Sequence, residues 1–448
     1  MAVQRFPRRE PEGLGDEEIL LSRLDLPFAA SQRRNVHLDS HCPTPIYLVL
    51  RNQTKPLPVG SSDTAMLTTT SEGLNATVTQ GRTSKEHQPT VLMLRYQDLV
   101  TNKRLHWTSH HQLQRLLGSG GQGMVFLSER RGADGFTLPV AIKVFSPDRY
   151  ADDRTYEDTM ARIATVAAHV ALIQHDNLLD VHNFVDRDRI RMMVMEWVDG
   201  YDLQRLLVPE RLELVKSRVS AKRWEYINNV LVTAGPVQPR FKPGVAIAIV
   251  RDCLGALASL HREGVVHGDI KPSNVMLKRT GNAKIVDIGS AFEIDSPPNP
   301  HMCTPAYASI EMLERNECTP LSDLASLGYV LIEILSGQPP FSSDDMKNLR
   351  RLLEAKRKLP HRLHELLPKE VTCNELLNNF CRRLVAADPM QRFPSAEAAD
   401  LVKDGAAAFH RQLVISDMAS EYDNEIRVWL EELRELDECD QCDEQESE

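Results

Sequence analysis

The chain has few cysteines, no long apolar run and no excess of positive charge, and each absence excludes a class of protein. Its eight cysteines in 448 residues are irregularly spaced, which excludes a disulfide-stapled scaffold. No apolar run reaches the roughly 18 residues that a membrane helix needs, so we expect no membrane span. The first residues carry charge without the apolar core of a secretory signal, and we therefore expect a cytoplasmic protein.

The negative charge lies at the C-terminal end. The formal net charge is −10, and residues 431–448 contain ten acidic residues and one arginine. The rest of the chain is close to neutral, a composition that excludes general nucleic-acid binding. Cys439 and Cys442 lie in the acidic segment. Because no second cysteine pair or following histidine accompanies them, free thiols are favoured over a zinc site.

The pattern of residues divides the chain into parts. Residues 1–107 have few apolar segments, which predicts a mostly disordered extension, with a small regulatory element as the alternative. Residues 108–411 begin with short apolar segments broken by glycine and continue with stretches of helical period. Strands first and helices afterwards predict two lobes of different class, joined at about residues 196–202.

Two further segments belong to the helical half. Residues 208–243 contain glycine and several prolines and are predicted to form an insertion of helix and loop. Residues 412–448 are predicted to form an amphipathic helix with an acidic tail, because apolar residues recur on one face: Ile426, Trp429, Leu430, Leu433 and Leu436. That face either packs on the protein's own surface or docks a partner protein.

A glycine-rich segment followed by a lysine predicts a phosphate site. Gly118, Gly120 and Gly123 allow the backbone to approach a phosphate without a Cβ in the way. The same spacing occurs in dinucleotide-binding folds, where a helix follows; here an apolar strand resumes, which favours a hairpin over ATP. Lys143 ends the next apolar segment, Val-Ala-Ile-Lys. Burial of its ammonium group is costly unless it meets an anion, and the nucleotide phosphates are the natural partner.

Further short motifs complete the parts needed for phosphoryl transfer. In chain order they are His267-Gly-Asp-Ile-Lys-Pro-Ser-Asn274, Asp287-Ile-Gly289, Thr304-Pro-Ala-Tyr307 with Glu311, and Asp323 with Arg392. Each motif alone is a weak signal, whereas their common order and spacing are specific. Together they supply a carboxylate for a hydroxyl nucleophile and two metal ligands.

Over roughly residues 108–405, these motifs resemble those of the eukaryotic-type serine/threonine protein kinases. Among them, the sequence is most similar in character to the bacterial members. The resemblance implies an α+β fold with a small antiparallel β lobe and a larger, mostly helical lobe, and a kinase domain over residues 108–411. It also implies ATP and Mg²⁺ as cofactors and protein serine or threonine side chains as substrates.

The resemblance assigns roles to five polar residues. Asp269 is similar to the aspartate that accepts the proton of the substrate hydroxyl, and Lys271 to the lysine that steadies the γ-phosphate. Lys271 also separates the serine/threonine kinases from the tyrosine kinases. Asn274 and Asp287 resemble the two magnesium ligands, whose hard oxygen donors suit that ion. Thr304 resembles the threonine that reaches the catalytic aspartate.

The resemblance also implies an ATP site. Val125 and Ala141 would enclose the adenine ring, Met195 is similar to the gatekeeper, and Glu196 and Val198 are similar to the hinge, whose backbone binds adenine. The complete implied set is Leu117, Gly118, Ser119, Gly120, Gly121, Gln122, Gly123, Val125, Ala141, Lys143, Met195, Glu196 and Val198.

Three residues resemble the framework of the family. Glu311 and Arg392 are similar to the buried ion pair of the helical lobe, and Asp323 to the helix aspartate that holds the catalytic loop. Ile288 stands where the family has phenylalanine, and because it is also apolar we expect a modest effect.

One departure affects regulation. Gly268 replaces the arginine that normally meets a phosphate on the activation segment, so the strong charge-assisted pair cannot form. The segment also carries several prolines at 297–300 and few hydroxyl groups outside its motifs. We therefore expect activity without phosphorylation of this segment.

A second departure concerns the partner of Lys143. The family places a glutamate in the following helix, but the corresponding position here is Thr165 or Val166. The tentative partner is Glu157 (or the adjacent Asp158), roughly two turns earlier in the helix; absence of the pair is the alternative.

Two rival functions are set against an active protein kinase. A pseudokinase that binds nucleotide or a partner without chemistry is supported by the missing helix glutamate. A small-molecule kinase is disfavoured by Lys271, Thr304 and the segment 322–328. The active kinase is the favoured prediction because every magnesium and proton-handling position is filled.

Overall fold

The described part of the chain folds into two lobes of different secondary structure. It comprises residues 111–148, 150–298, 303–315, 317–415 and 422–445 of a computed structural model, so the prediction for residues 1–107 lies outside it. The first lobe is a five-stranded sheet with one helix, and the second lobe is mostly helical. The α+β class with two lobes, predicted from the sequence, is confirmed.

Five antiparallel strands form the small lobe: β1 His111–Gly120, β2 Gly123–Arg131, β3 Thr137–Phe145, β4 Val181–Arg187 and β5 Ile190–Glu196. Their order in the sheet is β1-β2-β3-β5-β4, so strands joined by short connections pair as hairpins. The register sets Lys143 opposite Val125 on one side and opposite Met193 on the other. The lysine therefore lies on a central strand.

One helix, α1 (Asp153–Val170), packs on this sheet. The Asp152 carboxylate caps its first turn by accepting a hydrogen bond from the Thr155 amide at 2.7 Å. Its buried side chains recur at helical spacing: Tyr156, Met160, Ile163, Val166, Ala167 and Val170. The buried face of α1 is apolar throughout, which matters for the site.

The second lobe contains the remaining described elements. Its helices are α2 Leu203–Leu206, α3 Pro209–Arg218, α4 Ala221–Tyr226, α5 Pro243–Arg262, α6 Ile310–Arg315, α7 Pro320–Ser336, α8 Leu349–Leu366, α9 Lys369–Thr372, α10 Glu375–Leu384, α11 Ala396–Leu401, α12 Ala406–Ile415 and α13 Tyr422–Gln445. Its short strands are β6 Gly200–Asp202, β7 Val232–Thr233, β8 Arg240–Phe241, β9 Val265–Val266, β10 Val275–Lys278, β11 Ala283–Ile285 and β12 Phe292–Glu293.

Helix α5 forms the centre of this lobe. Pro243 stands in its first turn, where the missing amide hydrogen is tolerated. The helix contacts α7, α11, α12 and α13. Among the described residues it is the one helix long and apolar enough to cross a bilayer, but its apolar side chains are buried within the protein. This is the setting of a core helix.

Two short sheets in the helical lobe position the loops that face the other lobe. Strand β10 pairs with β6 on one side and with β11 on the other, and β9 pairs with β12. The loop between β9 and β10 and the loop after β11 are thereby fixed beside the chain segment that leaves β5. These loops carry the polar motifs.

The segment 208–243 folds as α3, α4, a π-helical turn at Ile227–Leu231 and the hairpin β7–β8. Helix α13 packs over it. The ring of Trp429 meets that of Phe241 edge-on with centroids 6.0 Å apart. Arg223 Nε donates to Glu432 Oε1 at 2.7 Å. The segment 208–243 and helix α13 therefore stabilise each other.

The apolar face of α13 is buried within the chain. Ile426, Trp429, Leu430 and Leu433 are at most 3% exposed, and the side chain of Leu436 lies outside the described residues. The face packs on the protein's own surface, which was one of the two alternatives. Its use as a docking face for a partner protein is unsupported.

Candidate active site

The loop between β9 and β10 is held by one buried carboxylate. Asp323 is 1% exposed, and its two oxygens accept hydrogen bonds from the amides of His267 and Gly268, each at 2.9 Å. Burial raises the pKa of Asp323, but hydrogen bonding to His261 and the neighbouring charges outweigh it, so the pKa is lowered. The carboxylate is ionised and fixes the loop backbone, as predicted for a framework residue.

Gly268 meets a conformational demand of this loop. Its φ is +76°, in the left-handed region that favours glycine. A Cβ at this position would lie 3.2 Å from the Ser290 carbonyl oxygen. The departure at position 268 therefore removes a cation and also relieves backbone strain.

Asp269, Lys271 and Thr304 form one hydrogen-bonded group. Lys271 Nζ donates to Asp269 Oδ2 at 2.6 Å and to Thr304 Oγ1 at 3.1 Å. The Thr304 hydroxyl donates to Asp269 Oδ1 at 2.8 Å. The three side chains come from two loops 33 residues apart. The structure thus brings together the carboxylate and the cation that the sequence predicts for the hydroxyl nucleophile and the γ-phosphate.

Asn274 and Asp287 lie beside this group as the predicted metal ligands. Asn274 is 4% exposed, and its Nδ2 donates to the Asp269 carbonyl at 2.8 Å, which leaves its Oδ1 as a free oxygen donor. Asp287 Oδ1 accepts from Gly289 N at 3.0 Å and from Lys143 Nζ at 2.5 Å. Its Oδ2 takes no hydrogen bond from the described residues. One amide oxygen and one carboxylate oxygen fit Mg²⁺, which takes few protein ligands alongside substrate phosphates.

Asp287 is held in an unusual backbone conformation. Its φ is 66° and its ψ 80°, a left-handed geometry that costs a non-glycine residue about 1–3 kcal/mol and is concentrated at functional sites. Burial raises its pKa, but the charge and hydrogen bond of Lys143 lower it to about 2. The side chain is therefore an anion at neutral pH.

Lys143 has partners other than the predicted one. Its side chain is 5% exposed, and Nζ donates to Asp287 Oδ1 at 2.5 Å and to Gln122 Oε1 at 2.6 Å. The prediction of Glu157 as partner is wrong. Its carboxylate lies on the outer side of α1, where it accepts from Arg189 Nε at 2.9 Å.

The reason for this error is the orientation of α1. Position 166, where the family pattern places the acid, is a buried valine, and Thr165 is exposed with its hydroxyl bonded to the Ala161 carbonyl. Glu157 and Asp158 both fall outside the helix's buried face. A longer or shifted helix does not bring them inward, so the alternative without a helix acid holds.

The predicted adenine site is one apolar cluster. Ala141, Met195 and Val198 are buried together, with Leu117 and Val125 packed against them. Three further side chains complete the cluster and were not predicted: Leu179, Met276 and Val286. Met276 could have been found because it follows Asn274 by two residues in an apolar strand. The walls come from both lobes, so an aromatic ring between them would be enclosed.

The glycine-rich turn lies close to the backbone of β3. A Cβ on Gly123, whose φ is +138°, would collide with the Val144 carbonyl. The predicted residues Gly118, Ser119 and Gly120 are the last residues of β1 and pair with β2, so Gly121 and Gln122 form the turn between the two strands. Arg205 of α2 donates to the Leu117 carbonyl at 2.9 Å from the opposite lobe. Sequence reasoning missed this contact.

The side chain of Glu196, the predicted hinge residue, is held in framework contacts. Its carboxylate is 2% exposed, forms a buried ion pair with Lys284 and accepts from the Asp180 amide at 2.7 Å. Burial raises the pKa of Glu196 despite the nearby lysine. The side chain therefore ties β5 to β11.

The segment after Thr304 is anchored by two buried charged side chains that the sequence did not single out. Lys356 of α8 is 0% exposed and donates to the Ala306 carbonyl at 2.7 Å, with its ammonium over the Tyr329 ring. Tyr307 donates to Glu333 of α7 at 2.7 Å. Burial lowers the pKa of Lys356. These contacts fix the backbone next to the hydroxyl-handling group.

The predicted framework pair is also present. Arg392 donates to both oxygens of Glu311, at 2.6 and 2.9 Å, and Ser322 donates to the same carboxylate at 2.9 Å. The arginine side chain is fully buried. Ile288 is 1% exposed within the core, as expected for an apolar replacement.

Comparison with known proteins agrees with this geometry. The family model for the protein kinase domain matches residues 111–402. The serine/threonine-protein kinase PrkC of Bacillus subtilis is 28% identical over 316 residues, 69% of this chain and 42% of that protein. Two kinases of Mycobacterium tuberculosis, PknL and PknB, are 31% and 29% identical over 53% of this chain, covering 51% and 34% of their lengths. The chain spans about half or less of the length of these relatives.

Proposed function

The chain belongs to the protein kinase family, and on that basis we propose that it transfers the γ-phosphate of ATP to serine and threonine hydroxyls of protein substrates. The names of the bacterial relatives support the serine/threonine class. The observation that carries the proposal is the group formed by Asp269, Lys271 and Thr304, in which a carboxylate, an ammonium and a hydroxyl meet within hydrogen-bond distance.

This group performs the proton and charge work of the reaction. The Asp269 carboxylate orients the incoming hydroxyl and accepts its proton as the oxygen bonds to the γ-phosphorus, while the bond from that phosphorus to the bridging oxygen breaks and ADP leaves. Lys271 lies against the same carboxylate and meets the negative charge of the transferred group. Thr304 fixes the carboxylate, so that little reorganisation is needed when substrate binds.

Asn274 and Asp287 are the residues that would hold Mg²⁺. A bound magnesium ion would neutralise phosphate charge and orient the triphosphate. Asp287 supplies an anionic oxygen at neutral pH because its pKa is lowered to about 2. Lys143 supplies the cation for the phosphates from the opposite lobe.

A transfer assay tests the proposal against the pseudokinase alternative. The purified chain is incubated with labelled ATP, Mg²⁺ and a generic protein acceptor, and Asp269→Ala is the control. We expect transfer to serine and threonine that falls about 10²- to 10⁴-fold in the variant, because a general base contributes that much. Equal signals from both proteins would refute the kinase function and favour the pseudokinase.

We further propose that activity does not require phosphorylation of the activation segment. Gly268 offers no cation to a phosphate there, Ser309 is 0% exposed, and Ser290 accepts a hydrogen bond from Gln122. The test is the activity of protein shown by mass spectrometry to carry no phosphate between residues 287 and 311. Full activity is expected; inactivity that is reversed by phosphorylation in this segment would refute it.

A further inference from the structure

Lys143 poses a problem that the family pattern does not solve. Its ammonium group is nearly buried, and a buried charge must be paired and hydrogen-bonded. The helix that supplies a glutamate in the family presents Val166 instead, and Glu157 is bound to Arg189. Something other than α1 must hold the lysine in place.

Asp287 cannot do this throughout the reaction. Its carboxylate contacts Lys143 at 2.5 Å. In the proposed function the same carboxylate would hold Mg²⁺, which would place a second cation on it. To be positioned for the phosphates, Lys143 would then need a protein acceptor that does not bind the metal.

Gln122, at the tip of the glycine-rich turn, is that acceptor. Lys143 Nζ donates to Gln122 Oε1 at 2.6 Å, and Gln122 Nε2 donates to Ser290 Oγ at 2.9 Å. The orientation of the amide is determined by its neighbours, because an ammonium group is a donor only and must face the oxygen. Gly289 leaves room for the contact, since a Cβ there would collide with Gln122 Oε1.

We propose that Gln122 is a positioning residue that holds Lys143 for the nucleotide phosphates, in place of the absent helix glutamate. The lysine has three donors, so Gln122 can keep one of them and leave the others for the nucleotide phosphates when a metal ion occupies Asp287. A neutral carboxamide orients the ammonium without cancelling its charge. The bond to Ser290 fixes the carboxamide and ties the turn to the loop that carries Asp287.

The proposal rests on the proposed kinase function and is tested first by kinetics. The kcat and the KM for ATP are measured for wild type, Gln122→Ala, Gln122→Glu and Gln114→Ala. Gln114 is the matched control, since it is an exposed glutamine on β1 of the same hairpin. We expect kcat to fall about 10- to 100-fold in Gln122→Ala, the effect of a lost hydrogen bond to a charged group.

The conservative variant separates positioning from simple loss of structure. Gln122→Glu is expected to recover kcat to within about fivefold of wild type, because a carboxylate also accepts from an ammonium group. Gln114→Ala is expected to match wild type. A kcat for Gln122→Ala within about twofold of wild type would overturn the proposal, and so would a KM for ATP that falls while kcat is kept.

A second measurement needs neither activity nor nucleotide. Hydrogen exchange of backbone amides in residues 118–125 is compared in the nucleotide-free proteins. Gln122→Ala and Ser290→Ala are expected to exchange faster than wild type, and Gln114→Ala at the same rate. Unchanged exchange in both Gln122→Ala and Ser290→Ala would overturn the proposal. An inactive wild type with the expected exchange pattern would instead refute the kinase function alone.

Discussion

The two sides of the cleft follow the family pattern to different degrees. On the helical side, Thr304 reaches Asp269 as predicted, and Lys271 and Asn274 hydrogen-bond to the same residue. On the sheet side, Lys143 is present but its predicted carboxylate partner is replaced by Asp287 and Gln122. The difference teaches that a reacting group restricts its own residue type strictly, whereas the partner of a cation can come from any nearby element.

The largest expected effect belongs to the helical side. Arg392→Met leaves Glu311 buried without its cation, which should cost about 3–5 kcal/mol of unfolding free energy. Urea denaturation followed by circular dichroism measures it. The double variant Arg392→Met with Glu311→Met is the control and should cost less, because no buried charge remains. If Arg392→Met were as stable as wild type, the buried ion pair would not stabilise the helical side, and the contrast between the two sides would lose its support.

The catalytic loop offers a smaller effect on backbone strain. Gly268→Ala places a Cβ at φ +76° and 3.2 Å from the Ser290 carbonyl, so we expect a loss of about 1–2 kcal/mol. Gly264→Ala is the matched control, since Gly264 has φ +71° with open space around the Cβ position. Both variants are compared by denaturation, and Gly268→Ala should lose more. Equal losses would mean that the close approach of the new Cβ to the Ser290 carbonyl oxygen does not affect stability.

The sheet side predicts a dependence on acid. The pKa of Asp287 is depressed to about 2 in the folded protein, whereas an unfolded aspartate titrates near about 3.9. The carboxylate therefore contributes stability above about pH 4, and this contribution is lost as the pH falls towards 2. The stability difference between wild type and Asp287→Asn should be constant from neutral pH down to about 4 and shrink below it. A difference that grows on acidification would contradict the Lys143 pairing.

The smallest effect is expected at the residue that sequence reasoning chose wrongly. Glu157→Gln removes an exposed ion pair with Arg189, worth about 0–1 kcal/mol, and should leave kcat unchanged. The transfer assay and a denaturation curve measure both quantities. A large fall in kcat would indicate that Glu157 is the partner of Lys143 after all, and that the sheet side also follows the family pattern.

Much of the fold could be predicted because its elements carry strong periodic patterns. Helix α5 and strand β3 are apolar segments bounded by proline or glycine, and the structure places both where the sequence does. The five predicted residues of the adenine cluster come instead from the family resemblance. The order of strands in the sheet was not predicted, since short strands pair in several ways that period alone does not distinguish.

The rest depends on which side of an element faces the cleft. The rotation of α1 decides that Val166 faces inward and Glu157 outward, and a helix with several acidic residues does not reveal this by spacing alone. Gln122, Arg205 and Lys356 act across 21 to 88 residues of sequence, so no local pattern links them to their partners. These contacts exist only in the packed fold, and the contact of Arg205 with Leu117 joins the two lobes.

The most direct test of the account is a structure of the protein with Mg²⁺ and a non-hydrolysable ATP analogue. The account predicts a metal bound by Asn274 and Asp287, phosphates at Lys143 and Lys271, and adenine between Ala141 and Met276. It also predicts that Gln122 still contacts Lys143. A nucleotide bound elsewhere, or a metal that meets neither Asn274 nor Asp287, would contradict it.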